Sequence, residues 1–325
     1  MKPLRGIDPN THEAFVSQVQ QSYPAFEILF GAADPNDPAA HEVELLRQSH
    51  PNVPIRLIIG SAPAANGKVG VLIELARHTR HPIWVVNDSD IKVGPTYLSE
   101  IVAPLADPQI ALVTCPYRVK PHNLPSAWEA IGIGTDFIPS ALVAQLIGVR
   151  EFGLGSTLAF RAADLQQVGG FESLAAYLAD DYQLAKRICS LGGRTLLSSY
   201  TVETSLGDAT WSGVWRHQLR WARTIRASKR RSYAGLPLTH TGLWALVAVL
   251  CGVWPAALCL VLLRIASAAL AATRILRSRL LARSCCLAPL WDLYAFAIWL
   301  AAYAGRTVRW RDRLLRIDSD GRIIT

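Results

Sequence analysis

Four segments of this chain carry side chains able to do chemistry. In Ile83-Trp-Val-Val-Asn-Asp-Ser-Asp, a short apolar run leads directly into Asp88 and Asp90. Hard cations such as Mg2+ and Mn2+ take oxygen ligands and share one or two protein carboxylates with substrate phosphates. A metal held by Asp88 and Asp90 would neutralise a diphosphate leaving group, although Asp and Ser are also ordinary turn formers. A second run, Glu27-Ile-Leu-Phe-Gly-Ala-Ala-Asp34, again ends near a carboxylate. The third segment is Tyr177-Leu-Ala-Asp180-Asp181-Tyr182. Adjacent aspartates opening a helix suit its dipole. A carboxylate crowded by another can equally have its pKa raised and act as a general base towards a hydroxyl. The fourth, His217-Gln-Leu-Arg220-Trp221, sets His217 one helical turn before Trp221, so both can face one site. Arg220 suits phosphate, and the indole suits the wall of a sugar or lipid site. The same five residues would also serve a plain amphipathic helix.

These groups need a frame to position them. Glu27–Phe30, Ile55–Ile59, Ile83–Val86 and Ile110–Thr114 read as short strands, with Pro38–Ser49 and Gly67–Thr79 as helices between the first three. Strands alternating with helices predict an α/β domain with a parallel sheet covered on both faces. Such sheets bind ligands at the carboxyl ends of their strands, where Asp34 and the Asp88–Asp90 stretch fall. A helix is expected over 212–229, because Trp215, Leu219, Ala222 and Ile225 recur at helical spacing. Arg216, Arg220, Arg223 and Arg226 follow an adjacent face. That pattern fits a helix in the lipid headgroup layer, or a solvated basic helix packed on the domain.

Charge divides unevenly along the chain. Residues 1–210 carry 15 Lys+Arg against 21 Asp+Glu, and residues 211–325 carry 18 against 4. The basic residues flank long apolar runs, which favours a membrane partner over nucleic acid. Thr241–Leu263 holds no charged residue and exceeds the roughly 20 residues that cross a bilayer. Ser284–Gly305 holds only Asp292, and buried core helices are the alternative for both runs. Seven basic residues in Arg216–Arg231 and five in Arg306–Arg316 stand outside this hairpin, against five in Arg264–Arg283. The balance predicts a multi-pass protein with its large domain on the cytoplasmic side. No signal peptide opens the chain. Cys115, Cys189, Cys251, Cys259, Cys285 and Cys286 show no metal or disulfide spacing, which fits a reducing compartment.

The four segments stand in the order used by inverting glycosyltransferases of the GT-A fold. More closely, the chain resembles the ceramide glucosyltransferase family (glycosyltransferase family 21), including its bacterial branch of hopanoid-biosynthesis-associated glycosyltransferases. The resemblance runs from Lys2-Pro-Leu-Arg-Gly-Ile-Asp-Pro through Val85–Val93, Gly153–Arg161, Gly169-Gly-Phe and Tyr177–Tyr182. It ends with Leu219-Arg-Trp and the tail Arg306-Thr-Val-Arg-Trp-Arg311. It implies a GT-A (Rossmann-like nucleotide-diphospho-sugar transferase) domain over 1–210 and a basic interface helix with H-x-x-R-W over 211–235. A membrane region over 236–325 would follow, with spans near 241–263 and 284–305. The implied reaction is inverting transfer of a hexose or N-acetylhexosamine from a UDP-sugar to a hydroxyl of a membrane lipid, ceramide or a hopanoid polyol. By position, Asp34, Lys68, Asp88 and Lys2 would bind the donor, and Asp88 and Asp90 would hold Mg or Mn. Asp181 would be the base, with His217, Arg220 and Trp221 completing the site.

Three departures from the family pattern bear on this. His217 stands where the family has Gln or Arg. In Asn66-Gly-Lys68-Val-Gly-Val-Leu72, Gly70 and Val71 replace two asparagines of the family's N-P-K-x-N-N-L stretch. The K-P-L-R-G motif begins at Lys2, so the family's N-terminal span and first strand do not precede it, and an open sheet edge is expected beside the nucleotide site. Two alternatives follow: a processive polysaccharide synthase of the related family 2, and a membrane-associated protein disabled by the missing strand.

Overall fold

The computed structural model describes residues 1–310 and 313–324. The chain forms two compact units, Met1–Tyr117 with Ala141–Gly207, and Arg118–Ser140 with Asp208 onward. Residues 118–140 thus belong with the second unit, a division absent from the expectation of one domain over 1–210. The first part of the chain contains β1 (Lys2–Leu4), α1 (Thr11–Val19), β2 (Ile28–Ala32), α2 (Pro38–Ser49), β3 (Ile55–Ile59) and α3 (Gly67–Ala76). Next come β4 (Ile83–Val86), α4 (Tyr97–Val102), β5 (Ile110–Thr114), β6 (Tyr117–Lys120), α5 (Leu124–Gly132), α6 (Ile138–Leu146) and β7 (Leu158–Arg161). They are followed by α7 (Ala162–Gln167), α8 (Asp180–Cys189), β8 (Arg194–Leu197), β9 (Val202–Ser205) and α9 (Trp211–Ser228). The chain ends with α10 (Arg230–Ala234), α11 (Thr241–Leu250), α12 (Trp254–Leu270), α13 (Arg279–Ser284), α14 (Ala288–Tyr303), β10 (Thr307–Trp310), β11 (Arg313–Ile317) and β12 (Ile323–Ile324).

In the first unit, β1, β2 and β3 are parallel, and β4, β7, β5 and β8 form a second ladder. The Met1 backbone joins the two: its amino group donates to the Val85 carbonyl at 2.8 Å, and the Asn87 amide donates to its carbonyl at 3.2 Å. The K-P-L segment is itself a strand, paired with β2, while these two Met1 hydrogen bonds tie its start to the end of β4. The sheet is also mixed, not purely parallel, because β7 runs antiparallel between β4 and β5. Side chains alternate along β2. Ile28 and Phe30 pack with Phe15, Val43 and Leu46, while Leu29 packs with Leu72, Leu75, Trp84 and Phe160.

Local chemistry sets the helix starts. Asp37 accepts from the Ala39 amide at 2.9 Å with Pro38 next to it, and so caps α2. Asn66 caps α3, accepting from the Lys68 and Val69 amides at 3.0 and 3.3 Å. Gly70 explains itself by packing: a Cβ there would stand 2.5 Å from the Ala62 carbonyl oxygen. Val71 lies against Gly31, where an added Cβ would meet its Cγ1 at 2.6 Å. The two positions that depart from the family's asparagines are thus used to seat α3 on β2 and the 61–62 loop.

In the second unit the expected span 241–263 is not one helix. Gly252, at φ 76°, breaks it between α11 and α12, and Pro255 stands in the first turn of α12. Among the described residues, the two helices long and apolar enough to cross a bilayer are Trp254–Ile275 and Arg279–Tyr303, of mean hydropathy 2.0 and 1.6. Arg264 therefore lies within a helix and not in the connecting loop. Its guanidinium meets Asp292 of α14 at 2.7 to 3.0 Å and donates to the Thr135 carbonyl, and Asp292 also accepts from the Gly242 amide. Helix α9 packs on α14 through Ala222, Ile298 and Ala302. Two of its arginines serve this packing: Arg223 donates to the Thr307 carbonyl, and Arg226 to that of Gly305 at 2.8 Å. These two are accordingly used within the protein and do not form a free face towards headgroups. The tail forms an antiparallel β10–β11–β12 sheet; Arg311, the last residue of the tail motif, lies outside the described residues.

Candidate active site

In the first unit Asp88 follows a strand, and Lys68, Asp180 and Asp181 stand at the starts of two helices beside it. Asp88 follows β4, and the 153–157 loop that leads into β7 lies against it: the Asp88 amide donates to the Gly155 carbonyl at 3.3 Å. Two buried side chains pin this loop. Asn87 Nδ2 donates to Tyr97 Oη at 2.8 Å and to the Ser156 carbonyl at 2.7 Å. Thr114 accepts from the Leu154 amide at 3.0 Å and donates to the Thr157 carbonyl at 2.7 Å. The loop's glycines make room for the carboxylates. A Cβ on Gly155 would stand 2.9 Å from Asp88 Oδ2 and 3.7 Å from Asp181 Oδ2, so both oxygens border one small space. A Cβ on Gly153 would meet the Asp181 carbonyl oxygen at 2.7 Å.

Lys68 lies between two of the carboxylates. Its Nζ is 2.8 Å from Asp88 Oδ1 and 3.1 Å from Asp180 Oδ2. Burial alone would lower its pKa, but Asp180 and Asp88 outweigh burial and hold the ammonium above its ordinary range. Asn66 ties the same groups together, since its Nδ2 donates to the Tyr177 carbonyl at 2.8 Å and faces Asp180 Oδ1 at 3.4 Å. Asp181, the other member of the pair, is pushed up to about 6 by burial and by the neighbouring Asp180 charge. A carboxylate so poised takes a proton near neutral pH, as a general base must.

Asp90 has a different setting from Asp88. It accepts from the Thr204 hydroxyl of β9, and burial with the Asp88 charge pushes it up to about 6. Lys2 lies beneath this turn, 1 % exposed, and donates to the Ile91 carbonyl at 3.3 Å. Burial pushes its ammonium down to about 8 despite Asp90 and Asp88 nearby. Asp34 is exposed after β2, where it accepts from the Asn36 amide at 2.9 Å in a turn. The structure thus brings Asp88, Asp180, Asp181 and Lys68 together, sets Asp90 and Lys2 behind them, and leaves Asp34 in a turn of its own. For a divalent ion, Asp88 has the right chemistry: a carboxylate 43 % exposed, with Oδ2 turned to the space it shares with Asp181. Asp90 gives one of its two oxygens, Oδ2, to the Thr204 hydroxyl. Among the described residues no group of three or more His, Cys, Asp or Glu is arranged to hold a metal. An ion there would rely on Asp88 and on substrate phosphates.

The family model for glycosyl transferase family 21 matches residues 1–323. The chain belongs to that family. Among curated family 21 relatives, ceramide glucosyltransferase 1 of Caenorhabditis elegans is 27 % identical over 226 residues, 69 % of this chain and 48 % of that protein. Ceramide glucosyltransferase of Komagataella phaffii is 30 % identical over 107 residues, 31 % of this chain and 21 % of that protein. The chain spans about half the length of the first of these, and less of the second. A mannosyltransferase from Pyrobaculum calidifontis, solved with GDP-Man and Mn2+, superposes with a TM-score of 0.57 at 19 % identity. That match covers 93 % of this chain and 84 % of the other, and it shows a shared GT-A-like fold.

The family's last motif lies in the second unit, on α9. His217 Nδ1 faces Glu129 Oε1 of α5 at 2.5 Å, and Gln218 Nε2 donates to the same oxygen at 2.7 Å. The Trp221 ring packs edge-on to His217 at 4.8 Å and against Phe137 at 4.9 Å. Both rings therefore do share a face of the helix. Residues not singled out from the sequence are Asn66, Gly155, Asp180 as the partner of Lys68, Thr204 and Glu129. Asn66 carried a readable signal, an Asn two residues before Lys68 at a helix start. Glu129 carried none, standing 88 residues from its partner.

Proposed function

We propose that this family 21 protein transfers a hexose or N-acetylhexosamine, with inversion, from a UDP-sugar to a hydroxyl of a membrane lipid, ceramide or a hopanoid polyol. The observation that carries the reading is the pair Asp88 and Asp181 bordering one space, with Asp181 pushed up to about 6. In this reading Asp181 takes the proton of the attacking hydroxyl. Asp88 would hold a Mg2+ or Mn2+ ion, which supplies positive charge to the leaving diphosphate. Lys68 adds a second positive group within reach of the same carboxylate, and Asp180 holds it in place. Asp90 and Lys2 keep the Asp88 turn rigid, and Asp34 contacts the nucleotide end of the donor. His217, Arg220 and Trp221 serve the same reaction, with Arg220 towards phosphate and Trp221 towards sugar or lipid. The apolar helices Trp254–Ile275 and Arg279–Tyr303 anchor the protein in the bilayer that holds the acceptor.

The test uses membranes containing the protein, incubated with labelled UDP-glucose or UDP-N-acetylglucosamine and then extracted for lipid. Label in a lipid product is expected, dependent on a divalent ion. No lipid-soluble label from either donor would refute the reading, and activity indifferent to a chelator would remove the metal from it.

A further inference from the structure

His217 stands where the family uses Gln or Arg, and both of those always have an N–H to donate. A neutral histidine has one ring N–H, and giving it to one partner leaves the other ring nitrogen an acceptor. We propose that Glu129 is the positioning residue for this motif, fixing the His217 proton on Nδ1, so that His217 donates to a substrate phosphate oxygen only as the imidazolium. The proposal rests on the transferase reading above.

Glu129 is 2 % exposed and accepts from both His217 and Gln218 at one oxygen, at 2.5 and 2.7 Å. A buried carboxylate is costly unless hydrogen-bonded or paired, so these donors are held firmly against it. The hydrogen bond at one ring nitrogen sets the state of the other. With Nδ1–H given to Glu129, the neutral ring presents Nε2 as an acceptor, and protonation at Nε2 turns it into a donor. The ring is 28 % exposed and packs edge-on against Trp221. Among the described residues Glu129 of α5 is the acid hydrogen-bonded to it; Arg216 and Arg220 are its neighbours in sequence along α9, and Tyr294 of α14 feels the Glu129 charge. Gln at 217 would donate to substrate at any pH, and Arg would do so while pairing with Glu129 through its fork. In this chain the same hydrogen bond is gained or lost with one proton.

Two measurements on the full-length protein in detergent or nanodiscs test this. The first is the pH profile of kcat and KM for lipid glycosylation in wild type, His217→Arg, Glu129→Gln and Glu129→Ala. Wild-type kcat is expected to fall as rising pH removes the second His217 proton, His217→Arg to lose that pH dependence whatever its level of activity, and Glu129→Gln to lose roughly tenfold in kcat at neutral pH. A wild-type fall that persists in His217→Arg, or Glu129→Gln equal to wild type, overturns the proposal. The second is 15N-histidine NMR, with the His217 signal identified by its loss in His217→Gln. Neutral His217 should carry its proton on Nδ1 in wild type and lose that preference in Glu129→Ala. An Nε2–H tautomer in wild type overturns the proposal whatever the activity. Absence of turnover in wild type with a correct Nδ1–H tautomer overturns the transferase reading instead, and with it any role of the dyad in transfer.

Discussion

Asp181 is worth arguing at the level of single protons. Its carboxyl is pushed from 3.8 up to about 6, so the folded protein holds a proton that the unfolded chain gives up near pH 4. The sign of the linkage follows: the contribution of Asp181 to stability is full below about pH 4 and is lost as pH rises through 6. Asp181→Asn should therefore melt higher than wild type at pH 8 and match it near pH 4, as thermal denaturation at the two pH values would read. The same substitution should abolish transfer while leaving UDP-sugar binding largely intact, and wild-type transfer should rise with pH through about 6. Normal turnover by the variant would remove Asp181 as the base. Gly155 offers a second residue-level test. A valine there would push into the space between Asp88 Oδ2 and Asp181 Oδ2 and displace an exposed carboxylate, not backbone. Transfer should fall about a hundredfold, as small misplacements of reacting groups do, with little change in melting temperature. The carboxylates themselves were legible in the sequence, Asp88 after a strand-like run and Asp181 as one of two adjacent aspartates opening a helix. Gly155 was not, because what it permits is a contact between segments far apart in the chain.

Elements show a similar division. Strands β3, β4 and β5 and helix α2 begin and end where the sequence predicts, because each is a β-branched run or a capped amphipathic stretch bounded by turn residues. Strand β7 was missed: Leu158–Arg161 is short, and only its pairing with β4 and β5 makes it a strand. The apolar run at 241–263 misled for a related reason. Hydropathy sums across Gly252 without registering that a glycine in the left-handed region ends one helix and lets Val253 start the next. Arg264 read as the edge of a loop because its partner Asp292 lies 28 residues on, in another helix. That pair makes a definite prediction. Arg264→Met alone leaves Asp292 buried with its charge unpaired, at a cost of about 3–5 kcal/mol. Arg264→Met with Asp292→Leu should recover most of that loss, since well-packed apolar replacements of a buried pair are often neutral. Thermal denaturation in detergent measures both. Equal destabilisation of single and double variants would show that Arg264 matters through Thr135 and not through Asp292.

At the scale of the whole molecule, the question is which side of a bilayer each part faces. With Arg264 inside a helix, the basic residues near the turn between the two long apolar helices number four, Arg274, Arg277, Arg279 and Arg283. Twelve stand outside the pair, seven in Arg216–Arg231 and five in Arg306–Arg316. The asymmetry is thus twelve to four, and on the positive-inside rule we propose that the tail and the first unit face the cytoplasm. The rule counts residues near span ends and is indifferent to whether an arginine is also hydrogen-bonded, as Arg223 and Arg226 are. Helix lengths agree with crossing: 22 residues at 1.5 Å rise give roughly 33 Å, against a hydrocarbon core of about 30 Å. The large side chains Trp254, Leu258, Leu262, Leu263 and Leu270 are at least 57 % exposed, as lipid-facing positions would be. A cysteine placed at Arg277 or Ser278, in a version with the six native cysteines replaced, should react in intact cells with a membrane-impermeant maleimide. One placed at Asp318 or Asp320 should react only after permeabilisation. Reaction of both in intact cells, or of neither, would mean that the two helices do not form a crossing pair. The reverse pattern would place the aspartates of the first unit on the side away from cytoplasmic nucleotide-sugars, and the proposed donor would then have no access to them.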